Sequence, residues 1–347
     1  MAKNCIGLDL GSSAVKVTQV KVGRGGAIQL VNFGIEPVPP DTIVDGAILN
    51  HSGVVDAIRA IFRRLKIKQK EVAVAISGNA VIIKKIYVPA MTPEELEEQV
   101  PWEAEHHIPF NKKDVEIDYQ ALGGRNAAGQ MELLLVAAKK EVVADYAAVA
   151  REASLSPVVV DVAAFAVQNT YEATYGVSND VVALINIGAT LSTINILANG
   201  GSAFTRDVTA GGNAFTDDIK RHMGISGEEA EAVKVAFTDG EPSQDIGRIL
   251  QQTANSMAGE FQKSLDFFLS SHPDASISRI YLCGGSSRVA SLLAAIEGRA
   301  RVPVEVMDPF KNVQRSANID PAFLKTYGAQ GVVSFGLALR SAGDKFD

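Results

Sequence analysis

The sequence is short of cysteine, aromatic residues, positive charge and long apolar runs. Its two cysteines, Cys5 and Cys283, each sit in an apolar, strand-like stretch. That placement excludes a disulfide framework and predicts two buried thiols in a reducing compartment. No apolar run is long enough to cross a bilayer, and the opening residues 1–5 lack the extended apolar core of a signal peptide. The expectation is a cytoplasmic protein that meets a membrane only through partners. Lys and Arg number 33 against 40 Asp and Glu, for a net charge of −7, which works against a general nucleic-acid binder. The five histidines, His51, His106, His107, His222 and His272, have no cysteine or acid at zinc-ligand spacing. No Ser-His-Asp or thiol constellation can be read. What remains is ordinary for a folded protein, 47% hydrophobic and 21% charged over 347 residues, a length that predicts two lobes or subdomains.

What is present is a glycine turn used three times. The first lies in the run 6–17, where Asp9 and Leu10 lead into Gly11, Ser12 and Ser13 before a second apolar strand. The next lies in 184–194, where Asn186 and Ile187 lead into Gly188, Ala189 and Thr190. A third follows the apolar run 280–283 as Gly284, Gly285, Ser286 and Ser287. The first two predict a buried strand, a tight turn and another buried strand. Glycine lets backbone N–H groups approach phosphate oxygens, and the hydroxyls add donors. Two such hairpins face to face clamp a triphosphate, and the third turn can bound a nucleobase. A single glycine turn is a weak signal; three in this order are strong.

The pattern around these turns predicts strands over 4–10, 14–21 and 27–35, an amphipathic helix over 53–66 and a buried strand over 72–76. A strand over 81–88 precedes a helix over 92–107, with Thr92 as its N-cap and Pro93 in its first turn. Strands over 115–122 and 131–138 and a helix over 140–153 complete a self-contained α+β unit, read as an insertion into the first sheet. A strand over 157–160 and a helix over 161–175 follow. The opening pattern then returns as strands over 181–187, 191–198 and 202–208, with a glycine loop entering a helix at Gly211, Gly212 and Asn213. Helices over 226–236 and 241–270, a strand over 277–283, a helix over 288–297, a strand over 303–306 and a helical tail over 326–340 complete the chain.

This order of glycine hairpins resembles the actin, hexokinase and heat-shock-70 superfamily of nucleotide-binding folds. The insert sits where the bacterial actin relative FtsA carries its own small subdomain. The segment 102–110, from Trp102 through His106, His107 and Ile108 to Phe110, resembles the PilM family of type IV pilus assembly proteins. The resemblance covers nearly the whole chain. It implies an α/β, actin-like two-lobed fold built from duplicated ribonuclease-H-like mixed sheets with flanking helices. Residues 1–78 and 157–180 would form the first lobe, 79–156 the inserted α+β subdomain for partner binding, and 181–347 the second lobe. The C-terminal helix would return to the first lobe.

The resemblance also implies ATP or ADP with Mg²⁺ between the lobes. Gly11, Ser12 and Ser13 would contact the β- and γ-phosphates, with Gly188, Ala189 and Thr190 opposite. Lys16 is either a point charge near the phosphates or a solvated strand residue. Asp9 would hold Mg²⁺ through water, because magnesium dehydrates reluctantly; its other role is a turn-stabilising Asx residue. Gly211, Gly212 and Asn213 would face the α-phosphate and ribose, or form a plain loop-to-helix turn. Glu231 would meet the ribose hydroxyls and Lys234 would flank the base, or the two form an i,i+3 surface pair. Gly284, Gly285 and Ser286 would lie against adenine, and Arg288 would stack on it or stay solvated.

One position departs from the superfamily pattern. Its phosphate-hydrolysing members commonly carry aspartate where this chain has Asn186, and an amide cannot serve as a general base. The expectation is nucleotide binding with weak or no turnover. A base could lie elsewhere, at Asp9 or Asp161, although Asp161 reads better as the N-cap of the helix 161–175. In the insert, the acidic helix 92–107 is either a solvated face or one wall of a docking groove, with Trp102, Ile108 and Phe110 as apolar anchors.

By resemblance the function is an actin-like scaffold of the type IV pilus machine. Its partners would be the N-terminal cytoplasmic segment of PilN, motor or platform proteins, and further copies of itself in a ring. A small-molecule kinase would need a catalytic carboxylate and a substrate loop. A membrane-anchored division filament would need a basic amphipathic tail, and residues 339–347 are too short and too mixed in charge for one.

Overall fold

The computed structural model describes residues 4–237 and 243–344. The first two residues of the expected helix 241–270 lie outside the described residues, as do 1–3 and 345–347 at the two ends.

The chain opens with β1 (Ile6–Leu10), β2 (Ala14–Val22) and β3 (Ile28–Pro37), an antiparallel meander whose apolar runs are buried. A small hairpin of β4 (Ile43–Val44) and β5 (Ala47–Ile48) leads to α1 (His51–Arg64), which Asn50 caps by accepting from the Gly53 N–H. β6 (Glu71–Ile76) then lies parallel to β1. The insert follows as β7 (Val81–Val88), α2 (Pro93–Glu103), β8 (Val115–Arg125) and β9 (Met131–Lys139). Its sheet has the order β7-β9-β8. α2 begins as the sequence predicts, with a capping box between Thr92 and Glu95 and Pro93 at the helix start. Next come α3 (Lys140–Glu152), β10 (Ser156–Val162) parallel to β6, and α4 (Ala163–Tyr175).

The second lobe repeats the plan. β11 (Val181–Ile187), β12 (Ser192–Ala198) and β13 (Gly201–Val208) form the meander. α5 (Asn213–Met223), α6 (Gly227–Ala236) and α7 (Gln244–Ser271) cover it, and β14 (Ile277–Cys283), α8 (Ala290–Ala300) and β15 (Val304–Val306) complete it. The chain then returns to the first lobe through β16 (Gln314–Arg315), α9 (Pro321–Tyr327) and α10 (Val332–Ala338). The two large sheets have the orders β10-β6-β1-β2-β3-β16 and β13-β12-β11-β14-β15. This is the duplicated mixed-sheet architecture that the resemblance implies.

α4 and α10 pack between the sheets. Ala166, Val167, Val333 and Leu337 share one apolar cluster with Ala73 of the first sheet and with Leu184 and Cys283 of the second. The fit is tight. A side chain on Gly7 would overlap the Ser334 carbonyl oxygen, and one on Gly336 would overlap that of Ala166. Thr18 and Ser334 share a buried hydroxyl contact of 2.7 Å at the same crossing.

The insert is smaller than the sequence pattern predicts. The helix expected within it at 140–153 is α3, whose buried Tyr146, Val149 and Ala150 join Val54, Ile58 and Val74 in the first-lobe core. By packing, the insert ends at Lys139. Helical periodicity alone shows that α3 has an apolar face, not which sheet that face covers.

Candidate functional site

The first two glycine turns have the same geometry and face one another. Gly11 N–H donates to Ala14 O at 3.1 Å, and Gly188 N–H donates to Leu191 O at 2.9 Å. Across the gap, Thr190 Oγ1 lies 3.3 Å from Ser12 Oγ. The strands bring the chemistry to the same end: Asp9 sits directly opposite Lys16 in the β1–β2 ladder. Lys16 Nζ is 3.2 Å from Asp9 Oδ2, and the two side chains are only 14% and 16% exposed. The ammonium leans over the turn, so a side chain at Gly11 would meet it. Lys16 is thus neither a freely solvated strand residue nor an isolated charge. It partners Asp9 at the mouth of the first loop.

The other glycine segments brace the second loop. Gly212 N–H donates to Gly188 O at 2.9 Å, and Asn213 N–H donates to Ala189 O at 2.8 Å. A Cβ on Gly211 would lie 2.5 Å from the Ala189 carbonyl oxygen, so only glycine allows this approach. Two of the amides expected to face the α-phosphate therefore hold the loop itself. Gly284 takes φ +90°, and a side chain there would overlap the Ile187 carbonyl oxygen. Ser286 reaches Gly212 from the third turn, since a Cβ on Gly212 would overlap its Oγ.

Glu231 and Lys234 complete this corner as more than a surface pair. Lys234 Nζ is 2.6 Å from Glu231 Oε2, 3.1 Å from Thr216 Oγ1 and 3.3 Å from Gly212 O. Thr216 Oγ1 also donates to Glu231 Oε2 at 2.6 Å. Lys234 is 11% exposed, whereas Glu231 keeps 48% of its side chain in solvent. Gly285 stands clear, with Gln330 the nearest side chain at 3.8 Å from its ideal Cβ. Arg288 is half-buried and held to the chain, its Nη1 donating to the carbonyls of Lys325 at 2.7 Å and Thr326 at 2.9 Å.

The aspartate alternatives resolve differently. Asp161 is not a helix cap, because it belongs to β10 and Val162 is the residue that precedes α4. Its side chain is 4% exposed and ion-pairs with Arg340 at 2.9 Å, while Oδ1 accepts from the Val162 N–H at 2.7 Å. Burial raises its carboxyl above the ordinary range, and Arg340 opposes the rise. A carboxylate committed in this way is not a free base. Asn186 lies beside the buried Cys283, with Oδ1 3.7 Å from Sγ. Asp9 remains, with Lys16 upon it.

The sequence pattern does not single out Asp207. Asn186, Thr193 and Asp207 are successive cross-strand neighbours on β11, β12 and β13. Asp207 Oδ1 accepts from Thr193 Oγ1 at 2.6 Å, and Oδ2 accepts from the Gly78 N–H at 2.6 Å. Burial raises this carboxyl as well, against the pull of those two hydrogen bonds.

The three expected anchors of the insert separate. Ile108 is buried with Leu96, Val100 and Leu133 in the insert's own core, and Phe110 packs against that core. Ile108 is thereby closed off, whereas Phe110 stays half-buried with Lys139 Nζ 5.2 Å from its ring centroid. Trp102 is displayed, 66% exposed, with Lys112 Nζ 3.5 Å from its ring centroid. The junction with the lobes is built by other residues, with Val81, Ile83 and Leu134 packed on Val162 and Phe165.

Among the described residues, no three His, Cys, Asp or Glu side chains gather as a metal site, and no helix is long and apolar enough to cross a membrane. The sequence profile of the family described as type IV pilus assembly protein PilM matches residues 7–342. The chain belongs to the PilM family. The structure of a PilM–PilN type IV pilus biogenesis complex matches it with a TM-score of 0.87 at 28% identity, over 99% of this chain and 100% of that one. Two more distant structures share the fold. The ethanolamine utilization protein EutJ of Carboxydothermus hydrogenoformans has a TM-score of 0.60 at 15% identity, covering 98% of this chain and 90% of its own. MreB5 of Spiroplasma citri bound to ADP has a TM-score of 0.51 at 15% identity, covering 96% and 94%. The actin-like, two-lobed fold is therefore that of the PilM family. PilM membership sets aside the small-molecule kinase and the division filament.

Proposed function

We propose that this protein is an actin-like scaffold of the type IV pilus machine that binds a nucleotide between its lobes and a short segment of PilN through the insert side. The observation that carries the nucleotide half is the pair of glycine turns facing one another, Thr190 to Ser12 at 3.3 Å. The whole-length likeness to a PilM–PilN complex carries the partner half. MreB5 of Spiroplasma citri, which shares the fold, was solved with ADP and with AMPPNP.

In this function Ser12, Ser13, Thr190 and the Gly11 and Gly188 turns hold the phosphates, and Lys16 supplies a positive charge between Asp9 and the first turn. Glu231 meets the ribose hydroxyls, with Lys234 holding it from behind. The Gly284, Gly285 and Ser286 turn bounds the base beside Arg288. A single carboxylate, Asp9, suits Mg²⁺ carried in by the nucleotide, since that ion keeps several waters and takes few protein ligands. The bound ion would supply charge neutralisation at the phosphates. Turnover is weak or absent because Asn186 cannot take a proton and Asp161 is tied to Arg340. Trp102 is the exposed aromatic anchor for the partner. The protein sits at the cytoplasmic face of the inner membrane through PilN, with motor or platform proteins and further copies of itself as other partners.

The deciding experiment is titration of a labelled PilN N-terminal peptide with and without Mg-ATP. Saturable binding with a nucleotide effect is expected. No peptide binding in either state would defeat the partner half, and no nucleotide binding would defeat the other.

A further inference from the structure

Three parts of the molecule meet at one carboxylate. Gly78 follows β6 and precedes β7, so it is the point where the first lobe passes into the insert. Asp207 belongs to β13 of the second lobe and accepts the Gly78 N–H. Its other oxygen accepts from Thr193, just beyond the second glycine turn. Gly78 takes φ +84°, a conformation that glycine adopts freely and that fixes where its N–H points. The turn before α1 supports it from behind: a Cβ on Gly78 would lie 3.3 Å from the Asp45 carbonyl oxygen. Beside the link is a cavity of about 50 Å³ shared by all three parts, lined by Ser77 and Val162 of the first lobe, Val81 and Ile83 of the insert, and Thr205 of the second lobe.

We propose that Asp207 is a latch between the nucleotide cleft and the insert, its carboxylate joining the exit of the second glycine turn to the root of the insert in one hydrogen-bonded chain. A hydrogen bond to an ionised acceptor is about twice as strong as a neutral one, so the two lobes share a directional tie. A ligand that shifts the second turn against the first lobe must strain or release that tie, and the insert's first strand starts three residues past it. Two ligands that bias the same link are coupled, each altering the other's affinity by the same factor. The identity of the two ligands rests on the proposed function; the hydrogen-bonded chain does not.

The test uses the full chain and three variants, Asp207→Ala, Asp207→Asn and Thr193→Val. Amide hydrogen exchange at Gly78 is read first, without ligand. Asp207→Ala should speed it by about tenfold or more, the loss of one charge-assisted bond, and Asp207→Asn, which keeps an acceptor, should restore part of the protection. Thr193→Val should leave Gly78 protected. Mg-ATP is then titrated with and without the PilN peptide. The unaltered chain should show a peptide effect on nucleotide affinity, which both Asp207→Ala and Thr193→Val abolish while each ligand still binds. Unchanged Gly78 exchange in Asp207→Ala overturns the latch. So does coupling that survives the variants, or ligands that bind the unaltered chain independently. If Asp207→Ala fails to fold, Thr193→Val decides. A chain that binds neither ligand defeats the proposed function instead, and the exchange measurement then decides the latch alone.

Discussion

Thr190 and Ser12 touch across the cleft, hydroxyl to hydroxyl at 3.3 Å, although they belong to different lobes and lie 178 residues apart in sequence. Two copies of one hairpin thus present the same end to a shared space. Under the proposed function, a phosphate group entering that space would replace this contact with stronger, charge-assisted ones from both sides.

Gly11→Val should abolish nucleotide binding, because the new side chain meets Lys16 Nζ and lies 3.1 Å from the Ala14 carbonyl oxygen. The expected loss by calorimetry is about a hundredfold or more, the effect of disrupting several charge-assisted bonds together. Retained affinity in a folded variant would place the nucleotide elsewhere.

Asn186→Asp restores a carboxylate opposite Thr193 in the β11–β12 ladder. Phosphate release should rise by about tenfold or more, at the low end of what a positioned base contributes. An unchanged rate would show that Asn186 is not what limits turnover.

Trp102→Ala removes an aromatic ring of the insert, 66% exposed, and its cation–π contact with Lys112. Binding of the PilN peptide should weaken by about 2 kcal/mol, typical of a buried aromatic anchor, with nucleotide affinity unchanged. Equal losses for both ligands would mean that the ring supports the fold.

Gly336→Val forces a side chain from α10 into the Ala166 carbonyl and to within reach of Thr170 Oγ1. The urea midpoint should fall by the equivalent of about 3 kcal/mol, the upper range for overpacking. A small effect would mean that α10 can slide on α4.

Alkaline pH should destabilise the fold through its buried thiols and phenols. Burial, with Glu71 and Asp344 adding to it, lifts the Cys5 thiol from 9.0 to about 11. Burial also pushes Cys283 and Tyr146 upward, and lifts Tyr175 to about 12. Above pH 9 the unfolded chain has lost the Cys5 proton and the folded chain keeps it, so stability falls as pH rises toward 11. The slope is about 1.4 kcal/mol per pH unit for each such group. Denaturant midpoints at pH 8 and pH 10.5 test this, and native thiols should resist alkylation at pH 8. Rapid labelling of the native protein would contradict the burial of Cys5.

The duplicated hairpins were legible because strand, glycine and hydroxyl follow one another locally. The capping box at Thr92 was legible for the same reason. What escaped depends on distant surfaces. The apolar face of α3 carries no label saying that Tyr146 and Val149 cover α1 and β6 and not the insert. Ile108 reads as an anchor until the fold closes its own sheet over it. Asp207 is hidden by a register shift. Counting outward from the turn at Asn199 and Gly200 pairs Leu197 with Ser202 and would bring Arg206 opposite Thr193. An irregularity between Ile196 and Leu197 slips the ladder by one residue and puts Asp207 there instead.

β16 and α10 impose an order on how the molecule can be made. The second-lobe sheet is drawn from one contiguous stretch, Val181–Ile187 through Val304–Val306, and can close as soon as that stretch is available. The first-lobe sheet begins with Ile6–Leu10 yet receives its last strand at Gln314–Arg315 and its sealing helix at Val332–Ala338. During synthesis on the ribosome β1, β2 and β3 must therefore wait, with the groove beside Gly7 open, until Val332–Ala338 has emerged. The lobe encoded first is completed last, so the exposed β1–β2–β3 meander of a nascent chain is where a chaperone would have the most to protect.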